Sequence, residues 1–139
     1  MARVISGDLV VSGSASGITL VSMEPLSFWG GYDQKTGEII DRRHPLSGEM
    51  SAGRILVLPY TRGSSTSTAI LLESVRAGVA PAGLVTDRPD LFLALASVVA
   101  DEMYQKSFPI LAVSRQEFET IQTGLEARIT ADGQLILGG

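Results

Sequence analysis

The residues best suited to chemistry form a Gly-Ser-Ser-Thr run at positions 63–66. This run joins a nearly continuous apolar segment, residues 54–59, to a segment from Ser65 to Ala77 with helical spacing. A helix N-terminus has unpaired backbone N–H groups and partial positive charge, so it suits an anionic ligand group. Gly63 would let the backbone approach a ligand closely, and a serine hydroxyl there lies among donors that stabilise an alkoxide or a carboxylate.

The same run has a simpler interpretation, because Ser and Thr are common N-caps that serve only the helix. Two known site motifs are missing from it. No Gly-Lys-Ser/Thr follows at the spacing of a P-loop, and Gly-x-Ser-x-Gly, the nucleophile elbow, is absent. A ligand site and a plain helix cap both stay open at this point.

Two further loops carry candidate residues. Residues 24–33 gather three of the chain's eight aromatic residues beside two glycines, which fits either a packed loop or a contact surface. Residues 41–48 include the single histidine, His44, which could act as a general base. The adjacent Pro45 favours a loop in which the imidazole only makes hydrogen bonds.

Hydrophobic patterning predicts the elements that must position these loops. The 139 residues suggest one domain over 1–139, and 45% hydrophobic residues are enough for a core. The first half is typical of strands and loops, and from residue 63 helices and strands alternate. Right-handed crossovers would make part of the sheet parallel, so the predicted class is α/β with a mixed sheet. The predicted strands are 9–11, 18–21, 38–40, 54–59, 82–86, 108–113, 126–130 and 134–137, and the predicted helices are 65–77, 89–105 and 114–124.

Composition excludes several classes of function. Without cysteine the chain has no disulfides, thiolate nucleophile, Cys-ligated zinc or iron–sulfur cluster on its own thiolates, and one histidine excludes a multi-His metal site. A net charge of -4 without a basic block argues against nucleic acid. The apolar stretch 91–100 is too short for a membrane span, and the N-terminus lacks a signal-peptide run, so a soluble cytoplasmic protein is expected. Only 19% charged residues suggests that a partner covers part of the surface.

The three loops together resemble the small, swivelling domain of the aconitase X family. The Ser-Phe-Trp-Gly-Gly run at 27–31 and the His-Pro-Leu-Ser-Gly run at 44–48 are the specific signals. The resemblance implies a swivelling β/β/α domain, with a mixed or barrel-like β layer and about three helices. The remaining matching positions are Pro25-Leu26, Asp33, Thr36-Gly37, Gly53-Arg54, Arg62-Gly63-Ser64-Ser65 and Ala80-Pro81-Ala82.

The resemblance also implies a hydro-lyase shared between two subunits. A large subunit would bind iron or an iron–sulfur cluster, and the small domain would close over it and supply a serine. Carried over by motif, Ser64 is the base that removes the substrate proton, with Ser65 as the alternative base. Ser65, Gly63 and Thr66 would bind a substrate carboxylate.

Weaker candidates for the site come from two sources: a departure from the aconitase pattern and the other two loops. Thr66 stands where aconitases carry an arginine that grips a carboxylate, which argues against citrate-like substrates. Arg62, just before the turn, is a candidate for electrostatic help. Ser27, Asp33 and His44 are candidates for pocket or interface roles, with ordinary loop hydrogen bonds as the alternative.

Two activities of the family compete, and both act on a small hydroxy acid. The bacterial-type members resemble dehydratases of cis-3-hydroxy-L-proline, which form Δ1-pyrroline-2-carboxylate. Phe28-Trp29, His44-Pro45 and the Gly-Ser-Ser turn look more like this type. Archaeal small subunits belong to phosphomevalonate dehydratase. The hypothesis from another class is a non-catalytic swivel-type binding or regulatory domain, in which the Ser/Thr run only caps a helix.

Overall fold

Short strands of both orientations form one sheet in the computed structural model, which describes residues 2–62 and 65–138. Its strand order is β1-β8-β7-β3-β4-β5-β6-β2. The strands are β1 (Arg3–Ser6), β2 (Asp8–Val11), β3 (Ala15–Val21), β4 (Ile55–Val57), β5 (Gly83–Thr86), β6 (Ile110–Ala112), β7 (Glu126–Ile129) and β8 (Gln134–Leu137). The helices are α1 (Phe28–Gly31), α2 (Ser65–Arg76), α3 (Leu91–Tyr104) and α4 (Arg115–Phe118).

The sheet is rolled into a nearly closed barrel, as its two edges show. β1 and β2 stand at opposite ends of the strand order, yet only Gly7 separates them in the chain. A flat sheet of this width would place its edges about 34 Å apart, whereas the chain from Ser6 to Asp8 spans at most about 7 Å. The edges must therefore meet, and the Gly7 N–H donates to the Gly133 carbonyl at 2.9 Å at this junction.

Strands β3, β4, β5 and β6 run parallel to one another, and the remaining pairs are antiparallel. The predicted mixed α/β sheet is therefore confirmed. Helices α2 and α3 are the crossovers between β4, β5 and β6, and they pack against each other on the outside of the sheet. The carboxyl ends of the parallel strands share one edge, which is where open α/β sheets place ligand sites.

Two apolar clusters separate the layers, and β4 contributes to both. Ile55 and Val57 belong to the cluster inside the barrel, with α4 contributing Phe118. Leu56 and Leu58 belong to the cluster between the sheet and helices α1, α2 and α3. All four β4-region side chains are fully buried, which explains the continuous apolar run in this strand. The layering agrees with the predicted β/β/α arrangement.

The boundaries of α2 and the end of α3 agree with their predictions to within a residue, but the start of α3 and the end of α4 were predicted wrongly. Helix α3 begins at Leu91 rather than Pro89, because the Asp90 side chain caps it and Pro89 precedes the cap. Helix α4 is capped by Ser114, where the predicted helix begins, but it ends at Phe118 rather than near Gly124. The chain after α4 bonds instead to β3, where the Gly124 N–H donates to the Thr19 carbonyl at 3.0 Å.

The β-rich first half also departs from its prediction. The predicted strand at 38–40 is reduced to isolated bridges, Tyr32 with Ile39 and Glu38 with Met50. β1, which was not predicted, pairs with β8 and contributes Ile5 to the barrel interior. Only one of its four residues is buried, so its apolar pattern is too weak to indicate a strand.

Closure of the barrel through Gly7 is tested by Gly7→Ala. A Cβ atom at this position would lie 2.5 Å from the Ala112 carbonyl oxygen and 3.0 Å from Val113 Cγ1. We expect the free energy of unfolding to fall by about 1–3 kcal/mol, as for other overpacked sites, measured by urea denaturation.

The matched control is Gly138→Ala, where the nearest atom to the added Cβ lies at 3.6 Å. The control should unfold like the wild type. Equal stability of both variants would contradict the closure described above.

Candidate functional site

The backbone that enters the Gly-Ser-Ser turn is held by hydrogen bonds from two directions. The Thr61 N–H donates to Asp90 Oδ2 at 2.6 Å. On the other side, the Leu26 carbonyl accepts from Thr61 Oγ1 at 3.2 Å and from the Arg62 N–H at 2.9 Å. Thr61 and Asp90 are each only 7% exposed. The turn therefore starts from a fixed, buried position beyond the carboxyl end of β4.

The predicted catalytic Ser64 and the neighbouring Gly63 lie outside the described residues. Helix α2 begins at Ser65, and Ser65 and Thr66 are exposed in its first turn, next to the backbone N–H groups of the helix N-terminus. Arg62 is also exposed. The residues flanking the turn thus present a cation, hydroxyls and N–H groups to the same region, which can accommodate an anionic group.

One buried hydroxyl in α2 was not anticipated. Ser67 is 1% exposed, and its Oγ has no hydrogen-bond partner within the part of the chain that the structure describes. One residue later, Thr68 Oγ1 donates to the Phe92 carbonyl of α3 at 3.0 Å. Helix α3 therefore contacts the chain on both sides of the turn, at Thr61 and at Thr68.

Ser27 and Asp33 are used in local turns. Ser27 Oγ donates to the Trp29 carbonyl at 3.0 Å, and Leu26, which precedes Ser27, holds Arg62, so this loop lies beside the turn. Asp33 Oδ1 accepts from the Lys35 N–H at 2.8 Å within a loop of its own. Their roles in a pocket or an interface stay predictions.

His44 is buried and bonded within its surroundings. Its Nδ1 accepts from the Leu46 N–H at 3.1 Å, so the proton of the neutral ring is on Nε2. Nε2 lies 3.5 Å from the hydroxyl of Ser22, which in turn donates to the Glu24 carbonyl. This arrangement fits the loop interpretation of His44, and its role at a ligand site stays a prediction.

Asp90 is the residue near the turn that sequence reasoning missed. The order Pro-Asp followed by an apolar helical run is an N-cap signature, so its capping of α3 could have been predicted. Its second bond, to Thr61, joins residues 29 positions apart and leaves no local signal.

A charged cluster borders the same edge of the sheet. Asp87 follows β5, and its side chain is 2% exposed. Arg88 Nε and Arg115 Nη1 donate to it at 2.7 and 2.9 Å, and the Arg88 guanidinium stacks 4.4 Å above the Tyr60 ring. Burial raises the pKa of the Asp87 carboxyl, but both arginines lower it by more, so its pKa lies below its ordinary value. Asp87 and Arg88 line a cleft of about 490 Å³ together with Ser114.

The described ranges, 2–62 and 65–138, contain no group of three or more His, Asp or Glu side chains placed to hold a metal ion. In the same ranges, no helix combines the length and apolar character needed to cross a membrane.

Comparison with known proteins gives a consistent match. The family model of the aconitase X swivel domain matches residues 4–137. A cis-3-hydroxy-L-proline dehydratase of Pseudomonas aeruginosa is 43% identical over 136 residues, which are 98% of this chain and 23% of the relative. The phosphomevalonate dehydratase small subunit of Methanopyrus kandleri is 46% identical over 82 residues, 59% of this chain and 61% of that one.

A solved structure agrees with these sequence matches. The crystal structure of Thermococcus kodakaraensis aconitase X in its holo-form superposes with a TM-score of 0.87 at 27% identity, covering 99% of both chains. This chain therefore has nearly the full length of the solved one, whereas it spans less than a quarter of the Pseudomonas dehydratase.

The lowered pKa of Asp87 predicts how stability depends on pH. A carboxyl with a depressed pKa in the folded state contributes stability above its unfolded pKa of about 3.9, and this is lost as the pH falls through the folded value. The excess stability of the wild type over Asp87→Asn should be full at neutral pH and shrink below about pH 4.

Urea denaturation of both proteins across this pH range measures the effect. Glu119→Gln is the control, because Glu119 also accepts from Arg115 but is 56% exposed, and its effect should be small. An Asp87→Asn difference that stays constant down to pH 2 would contradict the assignment.

Proposed function

The chain belongs to the aconitase X swivel-domain family, and we propose that it is the swivelling part of a hydro-lyase that dehydrates cis-3-hydroxy-L-proline. The observation that carries the proposal is the 43% identity to such a dehydratase over 98% of this chain. The chain spans only 23% of that relative, and other relatives are named small subunits, so we assign the rest of the active site to a large subunit.

In the proposed reaction Ser64 removes the α-proton of the substrate. The proton passes to the serine oxygen, the C–H electrons form the double bond to C3, and the C3 hydroxyl takes up a proton and leaves as water. The resulting enamine tautomerises to Δ1-pyrroline-2-carboxylate. A serine is a weak acid, so the alkoxide must be stabilised by the N-terminus of α2 and by exclusion of water in the closed site.

The residues that flank Ser64 would bind the substrate carboxylate. The exposed first turn of α2 offers the Ser65 and Thr66 side chains and the partial positive charge of the helix N-terminus. Gly63 gives the carboxylate access to the backbone, and Arg62 adds a cation beside the turn. Ser27, Asp33 and His44 would form the surrounding wall or the contact with the large subunit.

The proposal places the iron or iron–sulfur cluster on the large subunit. The described residues of this chain offer no ligand set for it. When bound there, the metal would supply a Lewis acid for the leaving hydroxyl, and this chain supplies the base and the carboxylate site.

We further propose that the large subunit docks on the face of the molecule around the turn. Residues 91–100 of α3 carry no charge, yet Leu91 is 78% and Leu95 is 49% exposed, with Val98 one turn further along the same stripe. A helix that is apolar on nearly all sides is normally covered. Trp29 is 64% exposed in the loop whose Leu26 carbonyl accepts from the Arg62 N–H, and we include it in the proposed contact with the large subunit.

A second substrate is favoured by one specific observation. The 46% identity to a phosphomevalonate dehydratase small subunit exceeds the identity to the hydroxyproline enzyme, although it covers only 59% of this chain. The substrate assay must therefore include 5-phosphomevalonate. A non-catalytic binding or regulatory domain is the remaining alternative, and it predicts no turnover with either compound.

The role of Ser64 is tested in the complex of this chain with its large subunit. We expect Ser64→Ala to lower kcat on cis-3-hydroxy-L-proline by at least about 100-fold, because general base catalysis is lost. Ser114→Ala is the matched control, since it removes the cap hydroxyl of another strand-to-helix junction, and it should retain turnover.

Near-normal turnover by Ser64→Ala in an intact complex would overturn the assignment. If Ser65→Ala is the inactive variant instead, the two serines exchange roles. Turnover of 5-phosphomevalonate without turnover of cis-3-hydroxy-L-proline would identify 5-phosphomevalonate as the substrate instead.

The docking face is tested by Leu95→Glu. A charge at the centre of the apolar stripe should weaken association with the large subunit by at least about tenfold, measured by sedimentation or calorimetry. Val4→Glu is the control, because Val4 is 52% exposed but belongs to β1 at the edge of the strand order. Equal affinities of the two variants would contradict the proposed face.

A further inference from the structure

We propose that Asp90 is a positioning residue for the serine turn, holding the backbone that leads to Ser64 against the first turn of α3. The inference rests on the proposed function, since it concerns the placement of the proposed base. Asp90 itself does not touch substrate in this account, and it acts through the backbone at Thr61.

The two oxygens of the Asp90 carboxylate serve different elements. Oδ2 accepts from the Thr61 N–H at 2.6 Å, three residues before Ser64. Oδ1 accepts from the N–H groups of Phe92 and Leu93 at 3.1 and 3.2 Å, which caps α3. A single side chain therefore joins the approach to the turn to a helix that begins after the next strand.

The burial of the Asp90 carboxylate strengthens its hydrogen bond to Thr61. A carboxylate that is 7% exposed is stable only when hydrogen-bond donors surround it, and three backbone N–H groups do so here. Bonds to a charged acceptor are stronger and shorter than bonds between neutral groups. Breaking the bond to Thr61 would therefore free the backbone before the turn without removing any side chain from the turn itself.

The chain that follows the turn also bonds to α3, so the position of this helix constrains both ends of the turn. Thr68 Oγ1 donates to the Phe92 carbonyl, so α3 contacts the chain on both sides of Gly63 and Ser64. α3 also carries the apolar face assigned above to the large subunit. Asp90 would thus hold the backbone before the proposed base in a fixed position relative to the helix on which the large subunit docks.

Asp90→Ser separates the two functions of the carboxylate. Serine is as good an N-cap as aspartate, but its single, shorter hydroxyl cannot also reach the Thr61 N–H. We expect kcat to fall on the order of 100-fold, as for a base displaced by about 1 Å, with KM changed much less. Asp101→Ser makes the same substitution at an exposed position of the last turn of α3 and should behave as the wild type.

Hydrogen exchange gives a readout that is independent of catalysis. The Thr61 amide, bonded to Asp90 in the wild type, should exchange at least about tenfold faster in Asp90→Ser, while thermal unfolding and association with the large subunit stay close to those of the wild type. A loss of turnover that only follows loss of folded protein or of complex would overturn the inference in favour of a structural role.

The remaining outcomes separate this inference from the proposed function. Wild-type kcat in Asp90→Ser beside an inactive Ser64→Ala would overturn the positioning role and leave the base in place. An active Ser64→Ala would overturn both, whatever the exchange rate at Thr61.

Discussion

The burial of β4 on both faces determines where the polar turns of this protein lie. Its side chains point alternately into the barrel and under the helices, and the buried side chains of β5 and β6 divide between the same two clusters. With parallel neighbours on either side, the carboxyl ends of β3, β4 and β5 share one edge. The loops that follow them therefore meet. Thr61 and Arg62, which lead into the Gly-Ser-Ser run, bond to Asp90 and to the Leu26 carbonyl.

The exposed apolar face of α3 explains part of the low charge of the chain. Uncharged residues are concentrated on α3, which covers the sheet with one face and leaves Leu91, Leu95 and Val98 exposed with the other. In the proposed enzyme these residues contact the large subunit. Under the same proposal, the lack of cysteine would correspond to a division of chemistry, in which the partner would bind the metal and this chain would bring a base and a carboxylate site.

Local patterns predicted most of the fold. The apolar run of β4, the helical spacing of α2 and the terminal hairpin of β7 and β8 each reflect burial that is visible in a few neighbouring residues. The failures have a common cause in long-range contacts. Helix α4 ends early because residues near Gly124 bond to β3, and β1 exists because its backbone pairs with β8, although its side chains are mostly exposed.

The candidate site shows the same limit. Ser65, Thr66 and Arg62 could be proposed from the strand-to-helix run, but the Asp90–Thr61 bond spans 29 positions and has no local signature. The central claim, that this chain completes the active site of a larger partner, is tested most directly by titrating the isolated large subunit with the chain. Turnover of cis-3-hydroxy-L-proline should be absent at first and rise to a plateau at one chain per large subunit. Full turnover by the large subunit alone would contradict the account.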